Sequence, residues 1–205
     1  MVRHLGNVQE ADLFGRRGRL PRRGEPDTSA RTALLILGGI VLVGLVLRLA
    51  VPRGIWLDEA ISIHQARLSL HDMFSALYNG DRQPPLYEMV LWLSIRALGH
   101  GEFAVRLPTL IAGTLLIPAL YALGRELYDR RTGLLAAAFA AISPLLIWYS
   151  QEVRTYTFVA LFGVLALLTQ LRAIRYGTFG DWAAYILATA ALLWSHYFGV
   201  LLIAV

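Results

Sequence analysis

Two adjacent carboxylates, Asp58 and Glu59, stand seven and eight residues beyond the first long apolar stretch of the sequence. A chain that leaves a bilayer near residue 51 places this pair at the depth of the lipid headgroups. At that depth a carboxylate can take a proton from an attacking hydroxyl. A solvated pair at the start of a helix is the alternative. Spacing alone favours the solvated pair and leaves the catalytic interpretation open.

The chain after this pair carries a histidine pair and a proline pair. His64 and His71 are seven residues apart and could share one helical face, but without a tighter cluster a metal site is not favoured. The run DRQPPLY at 81–87 contains two prolines, which end one element and start the next. We therefore predict a turn followed by a helix at this point.

A second polar stretch, WYSQEVRTY at 148–156, separates two apolar stretches. Tryptophan and tyrosine at such a boundary are typical interface anchors. Glu152 and Arg154 are more informative, because a charge at the edge of hydrocarbon is unfavourable unless it is paired or used. Glu152 and Arg154 could form an ion pair within the fold, or they could have a functional role. The sequence leaves both interpretations possible.

Four further polar residues lie within or near the apolar stretches. Arg48 and Arg106 stand close to the ends of theirs, and we expect both side chains to snorkel to the membrane interface. His196 and Tyr197 fall inside the last stretch. They could line a polar cavity or pack between helices.

The composition is that of a membrane protein. Apolar residues make up 57% of the chain and charged residues 16%, whereas soluble domains average about half and about a quarter. The sequence contains no cysteine, which excludes disulfides, thiol catalysis and thiolate metal sites. The high apolar fraction and the low charged fraction exclude a soluble domain.

Five apolar stretches can span a bilayer, which requires about 20 mostly apolar residues. They lie near 32–51, 104–123, 132–149, 155–171 and 182–205. The stretch 86–98 is short and carries two charges, so we expect an interfacial helix. The predicted fold class is all-α, a polytopic transmembrane helical bundle with an outer-loop juxtamembrane helical region.

Arginine distribution predicts the topology. Twelve arginines lie in the tail and the segments 124–131 and 172–181, against five in the loops 52–103 and 149–154. By the positive-inside rule the tail is cytoplasmic and the two loops lie outside a cell membrane that the chain crosses several times. We expect residues 1–31 to be a disordered Arg-rich cytoplasmic tail that fixes the topology, with binding of nucleic acid or anionic lipid as the less favoured alternative. For the whole chain we expect membrane lipids, and not nucleic acid, as partners.

Four motifs in a fixed order resemble a known group of enzymes. They are WLDEA at 56–60, PPLY at 84–87, EFAVRLP at 102–108 and YSQEVRTY at 149–156. Together they resemble the polyprenyl-phosphate-sugar-dependent glycosyltransferases, in particular bacterial members of the protein O-mannosyltransferase and aminoarabinose-transferase superfamily, with the C-type glycosyltransferase fold. The resemblance covers residues 33–205.

The resemblance implies a multi-span enzyme that moves a sugar from a polyprenyl-phosphate donor to a glycan, lipid or protein acceptor on the outer face. Asp58 matches the first-loop acidic residue, the catalytic base or a group that orients the acceptor, with Glu59 beside it. Gln83 takes a place where aminoarabinose transferases carry a charged residue near the donor phosphate, so that role passes to Arg82. The implied substrate-binding residues are Arg82, Gln83, Tyr87, Glu152, Arg154 and Tyr156.

The resemblance leaves the cofactor open. Some enzymes of this fold use a divalent metal, and Asp58, Glu59 and Glu152 could hold one. A transporter with Arg48, Arg106 and His196 along its pathway is an alternative, but a transporter should show paired deep charges or interrupted helices in related halves. Because the chain ends inside an apolar stretch, we also expect an amino-terminal fragment of a longer enzyme, or a noncatalytic truncated protein.

Overall fold

The structure, a computed structural model, describes residues 28–50, 54–80 and 83–203. Arg82 and most of the predicted tail lie outside these residues. All regular elements within them are α-helices, which confirms the predicted fold class. The helices are α1 Thr28–Ala50, α2 Leu57–Arg67, α3 Leu70–Asn79, α4 Leu86–Leu98, α5 Glu102–Leu127, α6 Arg130–Ile142, α7 Pro144–Gln151, α8 Tyr156–Tyr176, α9 Phe179–Ser195 and α10 Gly199–Ile203.

Three of these helices, α1, α5 and α8, are long and apolar enough to cross a membrane. Helices α6 and α7 meet at a bend of 59° and count as a fourth span if the pair is taken as one. The predicted span 132–149 is thus two helices. The predicted stretch 182–205 is also divided, because α9 ends at Ser195 and α10 begins at Gly199.

Proline explains the bend between α6 and α7. Pro144 has no backbone N–H to donate to the carbonyl four residues earlier, that of Ala140. Ser143 stands in an extended conformation and caps α7, since its hydroxyl accepts from the N–H of Leu146. The last carbonyls of α6 therefore need partners from elsewhere in the bundle.

Small residues allow α5 and α6 to approach closely. A Cβ added at Gly133 would lie 2.5 Å from the carbonyl oxygen of Tyr121, and one added at Gly124 would lie 2.9 Å from the Cα of Gly133. The turn between the helices is fixed by Asp129, whose Oδ1 accepts the N–H of Thr132 at 2.7 Å. This hydrogen bond holds the pKa of Asp129 below its usual range.

The bundle has two distinguishable ends. At the turn end, where residues 128–129 and 177–178 connect helices, Arg175 Nη1 donates to Oε1 of Glu126 at 2.6 Å. At the loop end, residues 54–101 meet residues 149–155. The sequence placed these two sets of segments on opposite sides of the membrane.

Helices α2, α3 and α4 lie at the loop end, in the segment for which the sequence predicts a juxtamembrane region. Helix α4 has 13 residues, or about 20 Å at 1.5 Å per residue, which is shorter than a hydrocarbon core of about 30 Å. It buries one face through Tyr87, Leu91 and Ile95, at helical spacing. Trp92 Nε1 and Arg96 Nη2 donate to the carbonyl of Leu68 at 3.1 and 3.0 Å, which fixes the α2–α3 turn against α4.

Candidate functional site

The first turn of α2 separates the two adjacent carboxylates. Successive residues of a helix point about 100° apart, so the side chains of Asp58 and Glu59 face different surroundings. Asp58 is exposed, and within the described part of the chain no residue hydrogen-bonds its carboxylate. Glu59 is fully buried. Asp58 is therefore the member of the pair that an incoming hydroxyl can reach.

Glu59 joins two loops that are far apart in the sequence. Its Oε2 accepts the N–H of Trp56 at 2.8 Å, which caps the start of α2. Its Oε1 accepts the N–H of Val153 at 2.8 Å, in the segment between α7 and α8. Because both oxygens are occupied by backbone donors, the geometry of Glu59 suits a positioning residue.

Arg106, near the start of α5, places a positive charge beside the carboxylate of Glu59. Its Nη1 lies 3.8 Å from Glu59 Oε1, and its Nε donates to Glu102 Oε1 at 2.9 Å. Nη1 also donates to the carbonyl of Gln151. The side chain is buried, so the expectation that Arg106 snorkels to the interface is wrong. Its guanidinium is paired inside the fold, as is typical of a charged side chain in a membrane helix.

Arg48 supplies the partners that the α6–α7 bend requires. Its Nη2 and Nη1 donate to the carbonyls of Ala140 and Ala141 at 3.2 and 3.3 Å, and its Nε donates to Ser150 Oγ at 3.0 Å. The side chain is only 2% exposed. The snorkelling expectation is wrong here too, because the carbonyls left free at the end of α6 offer acceptors within the bundle.

The segment between α7 and α8 brings an arginine towards α2. Arg154 is half-buried, and its Nη1 lies 3.4 Å from Ser62 Oγ. Ser62 follows Glu59 by three residues on α2 and is buried like it, with 1% of its surface exposed. A tight turn, in which the N–H of Arg154 donates to the carbonyl of Glu152 at 2.8 Å, shapes the backbone here. Arg154 therefore contacts the buried side of α2, one turn beyond Glu59.

Tyr87 is buried in the core and does not form part of an accessible surface. It is 2% exposed, and its ring meets Phe158 edge-to-face with the ring centroids 5.4 Å apart. Its hydroxyl has no hydrogen-bond partner among the described residues. Burial raises the pKa of Tyr87 well above its usual value, and the negative charges of Glu88 and Glu59 act in the same direction.

The remaining predicted site residues lie at the loop end but in different surroundings. Gln83 lines a cavity of about 550 Å³. Tyr156 is exposed and packs edge-to-face on Tyr149, with ring centroids 5.2 Å apart, as an interface anchor would. Glu152 is half-buried at the end of α7. The structure therefore brings Glu59, Arg154 and Tyr87 into one region.

The acidic residues suggested for a metal do not form a ligand set. Within the described residues, no three or more side chains of His, Cys, Asp or Glu are grouped so that they could hold an ion. Glu59 is turned inwards and bound to backbone N–H groups, while Asp58 faces outwards. The three carboxylates suggested as ligands therefore do not fit a divalent metal.

One comparison with known proteins gives a match. The model of a family described as dolichyl-phosphate-mannose-protein mannosyltransferase matches residues 82–205. The chain belongs to this family. No curated protein and no solved structure matches it.

Membership makes the chain a membrane glycosyltransferase of the kind that uses a lipid-linked sugar, which confirms the resemblance seen in the four motifs. The apolar helices agree with a multi-pass membrane protein. The match includes Gln83, Arg106 and Arg154 but begins after Asp58 and Glu59. The assignment of those two carboxylates therefore rests on the four-motif resemblance and on the geometry of α2.

Sequence reasoning missed Arg106 and Arg48 as interior residues. One signal was present for Arg106, since Glu102 precedes it by four residues and this spacing favours an ion pair on a helix. For Arg48 the signal was Pro144, which predicts free carbonyls but does not say which side chain meets them. The arginines that the transporter hypothesis placed along a pathway are both buried and bound to protein atoms.

Proposed function

We propose that the protein transfers a sugar from a polyprenyl-phosphate donor to an acceptor hydroxyl at the outer face of the cell membrane. The loop end is then the outer end, and the tail and the turn end are cytoplasmic, as the arginine distribution predicts. The observation that carries the proposal is the bond between Glu59 and the N–H of Val153, which holds the two motif-bearing loops together at one end of the bundle.

Asp58 is the proposed catalytic base. The acceptor oxygen attacks the anomeric carbon of the sugar, the bond from that carbon to the phosphate oxygen breaks, and Asp58 takes the proton of the acceptor hydroxyl. Its exposure at the start of α2 and its lack of hydrogen bonds to described residues support this role.

Arg154 is the proposed partner of the donor phosphate, together with Arg82. Negative charge grows on the phosphate as it leaves, and a guanidinium can bind two of its oxygens at once. The contact between Arg154 Nη1 and Ser62 Oγ holds the cation against α2, the helix that carries Asp58. A base and a cation held at one helix suit positioning of donor and acceptor in one site.

Glu59, Arg106 and Arg48 are positioning residues in this proposal. Glu59 and Arg106 fix α2 against the segment 151–153. Arg48 fixes the bend of α6 and α7, from which the same segment continues. None of the three needs to touch the substrate.

The test uses the full chain in lipid vesicles with radiolabelled mannose on a polyprenyl phosphate. A serine- and threonine-rich peptide, a neutral disaccharide and membrane lipid are supplied together as acceptors, and release of polyprenyl phosphate is measured. We expect label to move from this donor and not from GDP-mannose. Transfer from the nucleotide sugar, or no transfer from the lipid-linked one, would contradict the proposal.

A further inference from the structure

A groove at the turn end takes no part in the roles assigned above. It runs along α8 and α9 beside the turn at 177–178, and its volume is about 670 Å³, within the range of about 300–1,000 Å³ typical of small-molecule sites. Residues 168–184, which include its whole lining, all belong to the described part of the chain. The lining includes Leu168, Arg172 and Tyr176 from α8, and Thr178, Asp181 and Ala184 at the start of α9.

The groove changes from polar to apolar along its length. Leu168, Arg172 and Tyr176 follow one another at four-residue spacing, so they share one side of α8. Leu168 lies eight residues before the last residue of α8, which is about 12 Å along the helix axis. Because α8 is long and apolar enough to cross a membrane, the Leu168 end lies in hydrocarbon while the other end lies near the headgroups. A phospholipid has the same order of polarity.

The polar end of the groove holds a cation and an anion side by side. Arg172 Nε lies 3.4 Å from Asp181 Oδ1, and Asp181 Oδ2 accepts the hydroxyl of Thr178 at 2.6 Å. The Arg172 side chain is 50% exposed and donates no hydrogen bond to any described residue. An ion pair at a surface contributes little to stability. The guanidinium is therefore available to a phosphate, which it can bind through two oxygens.

The two charges together select the headgroup. A guanidinium binds a phosphate, whereas a carboxylate accepts hydrogen bonds from an ammonium group. Phosphatidylethanolamine carries both groups, and its phosphate and ammonium are joined by a short ethylene link. A headgroup with a phosphate and no ammonium leaves the carboxylate of Asp181 without a partner in the ligand.

We infer that the groove binds one phosphatidylethanolamine molecule from the leaflet at the turn end. Its phosphate lies on Arg172, its ammonium on Asp181, and an acyl chain follows α8 past Leu168. The inference does not depend on the proposed sugar transfer, because the groove lies at the opposite end of the bundle from Asp58.

The test measures which lipid the protein retains. The full chain in detergent micelles receives equal amounts of phosphatidylethanolamine and phosphatidylglycerol, and native mass spectrometry counts the bound lipids. Wild type should retain one phosphatidylethanolamine with about a tenfold preference. Arg172→Gln should weaken retention of both lipids by about tenfold, the loss expected for one hydrogen bond to a charged group.

Asp181→Asn separates recognition of the headgroup from stability. Asparagine keeps an oxygen acceptor for the Thr178 hydroxyl but has no charge for the ammonium. This variant should retain phosphatidylglycerol as wild type does and should lose the preference for phosphatidylethanolamine. A general loss of stability would instead lower retention of both lipids. Arg131→Gln is the matched control, because Arg131 is exposed at the turn end and does not line the groove. It should keep the wild-type preference.

Glycerophosphoethanolamine carries the same headgroup without acyl chains, so it should not displace the bound lipid at equal concentration. Displacement would assign the groove to a soluble zwitterion and overturn the inference. Equal retention of the two lipids by wild type, or unchanged retention by Arg172→Gln, would overturn it too. A dimer that retains no lipid would show that a second copy of the chain covers the groove.

Discussion

Glu59 and Val153 are joined by a hydrogen bond of 2.8 Å between a fully buried carboxylate and a backbone N–H 94 positions away. The bond connects the first turn of α2 to the segment between α7 and α8. A carboxylate that is buried and bound in this way fixes the relative position of two loops. Its neighbour Asp58 is exposed and has no hydrogen bond to the described residues.

The first prediction concerns Glu59→Gln. The NH₂ group of glutamine faces one of the two backbone N–H groups, so that N–H loses its acceptor. The substitution also removes the negative charge beside Arg106. Leaving a buried group unsatisfied lowers the free energy of unfolding by about 1–3 kcal/mol. Thermal unfolding in detergent, followed by tryptophan fluorescence, should show a lower Tm, and transfer should fall in parallel. An unchanged Tm with normal transfer would show that Glu59 does not join the loops.

The second prediction concerns Arg48→Met. The change leaves the carbonyls of Ala140 and Ala141 without their guanidinium donors, at about 1–3 kcal/mol for each buried group. We expect a clearly lower Tm. Arg31→Met is the matched control, because Arg31 is exposed near the start of the same helix. Equal Tm values for the two variants would count against the role of Arg48 at the bend.

Much of the fold follows from the sequence. The apolar stretches predicted α1, α5 and α8, and the two prolines at 84–85 predicted the start of α4. The bend at Pro144 and the end of α9 at Ser195 were missed, because hydropathy averages over a window and does not detect a local break. Backbone hydrogen bonding decides such breaks.

The site was less predictable than the fold. The sequence shows only that Asp58 and Glu59 are adjacent. Which of the two is buried depends on how α2 is rotated about its own axis relative to the bundle. The interior positions of Arg48 and Arg106 depend on acceptors contributed by distant helices. No local pattern contains that information, which explains why snorkelling was the wrong expectation for both.

The third prediction concerns the close packing of α5 and α6. Gly133→Ala places a methyl group 2.5 Å from the carbonyl oxygen of Tyr121, which requires the helices to move apart. Overpacking of this kind destabilises by about 1–3 kcal/mol, so Tm should fall. Gly38→Ala is the control, because nothing lies within 4 Å of its added Cβ. It should keep or raise Tm, since alanine favours a helix.

The fourth prediction concerns orientation. The chain has no cysteine, so a single introduced thiol can be labelled without background. A membrane-impermeant maleimide on intact cells should label His71→Cys at the loop end and should label Arg131→Cys only after permeabilisation. Both positions are exposed. The reverse pattern would place the loop end in the cytoplasm and contradict the proposed outer active site.

The most direct test of the account is turnover by Asp58→Asn, with Asp72→Asn as the matched control. Asp72 is also an exposed aspartate in the first turn of a loop-end helix. Loss of a general base lowers turnover by about 10²–10⁴-fold, so transfer from the lipid-linked donor should fall in that range while Tm and donor binding stay unchanged. Asp72→Asn should retain wild-type transfer. Wild-type turnover by Asp58→Asn would contradict the assignment of Asp58 as the base.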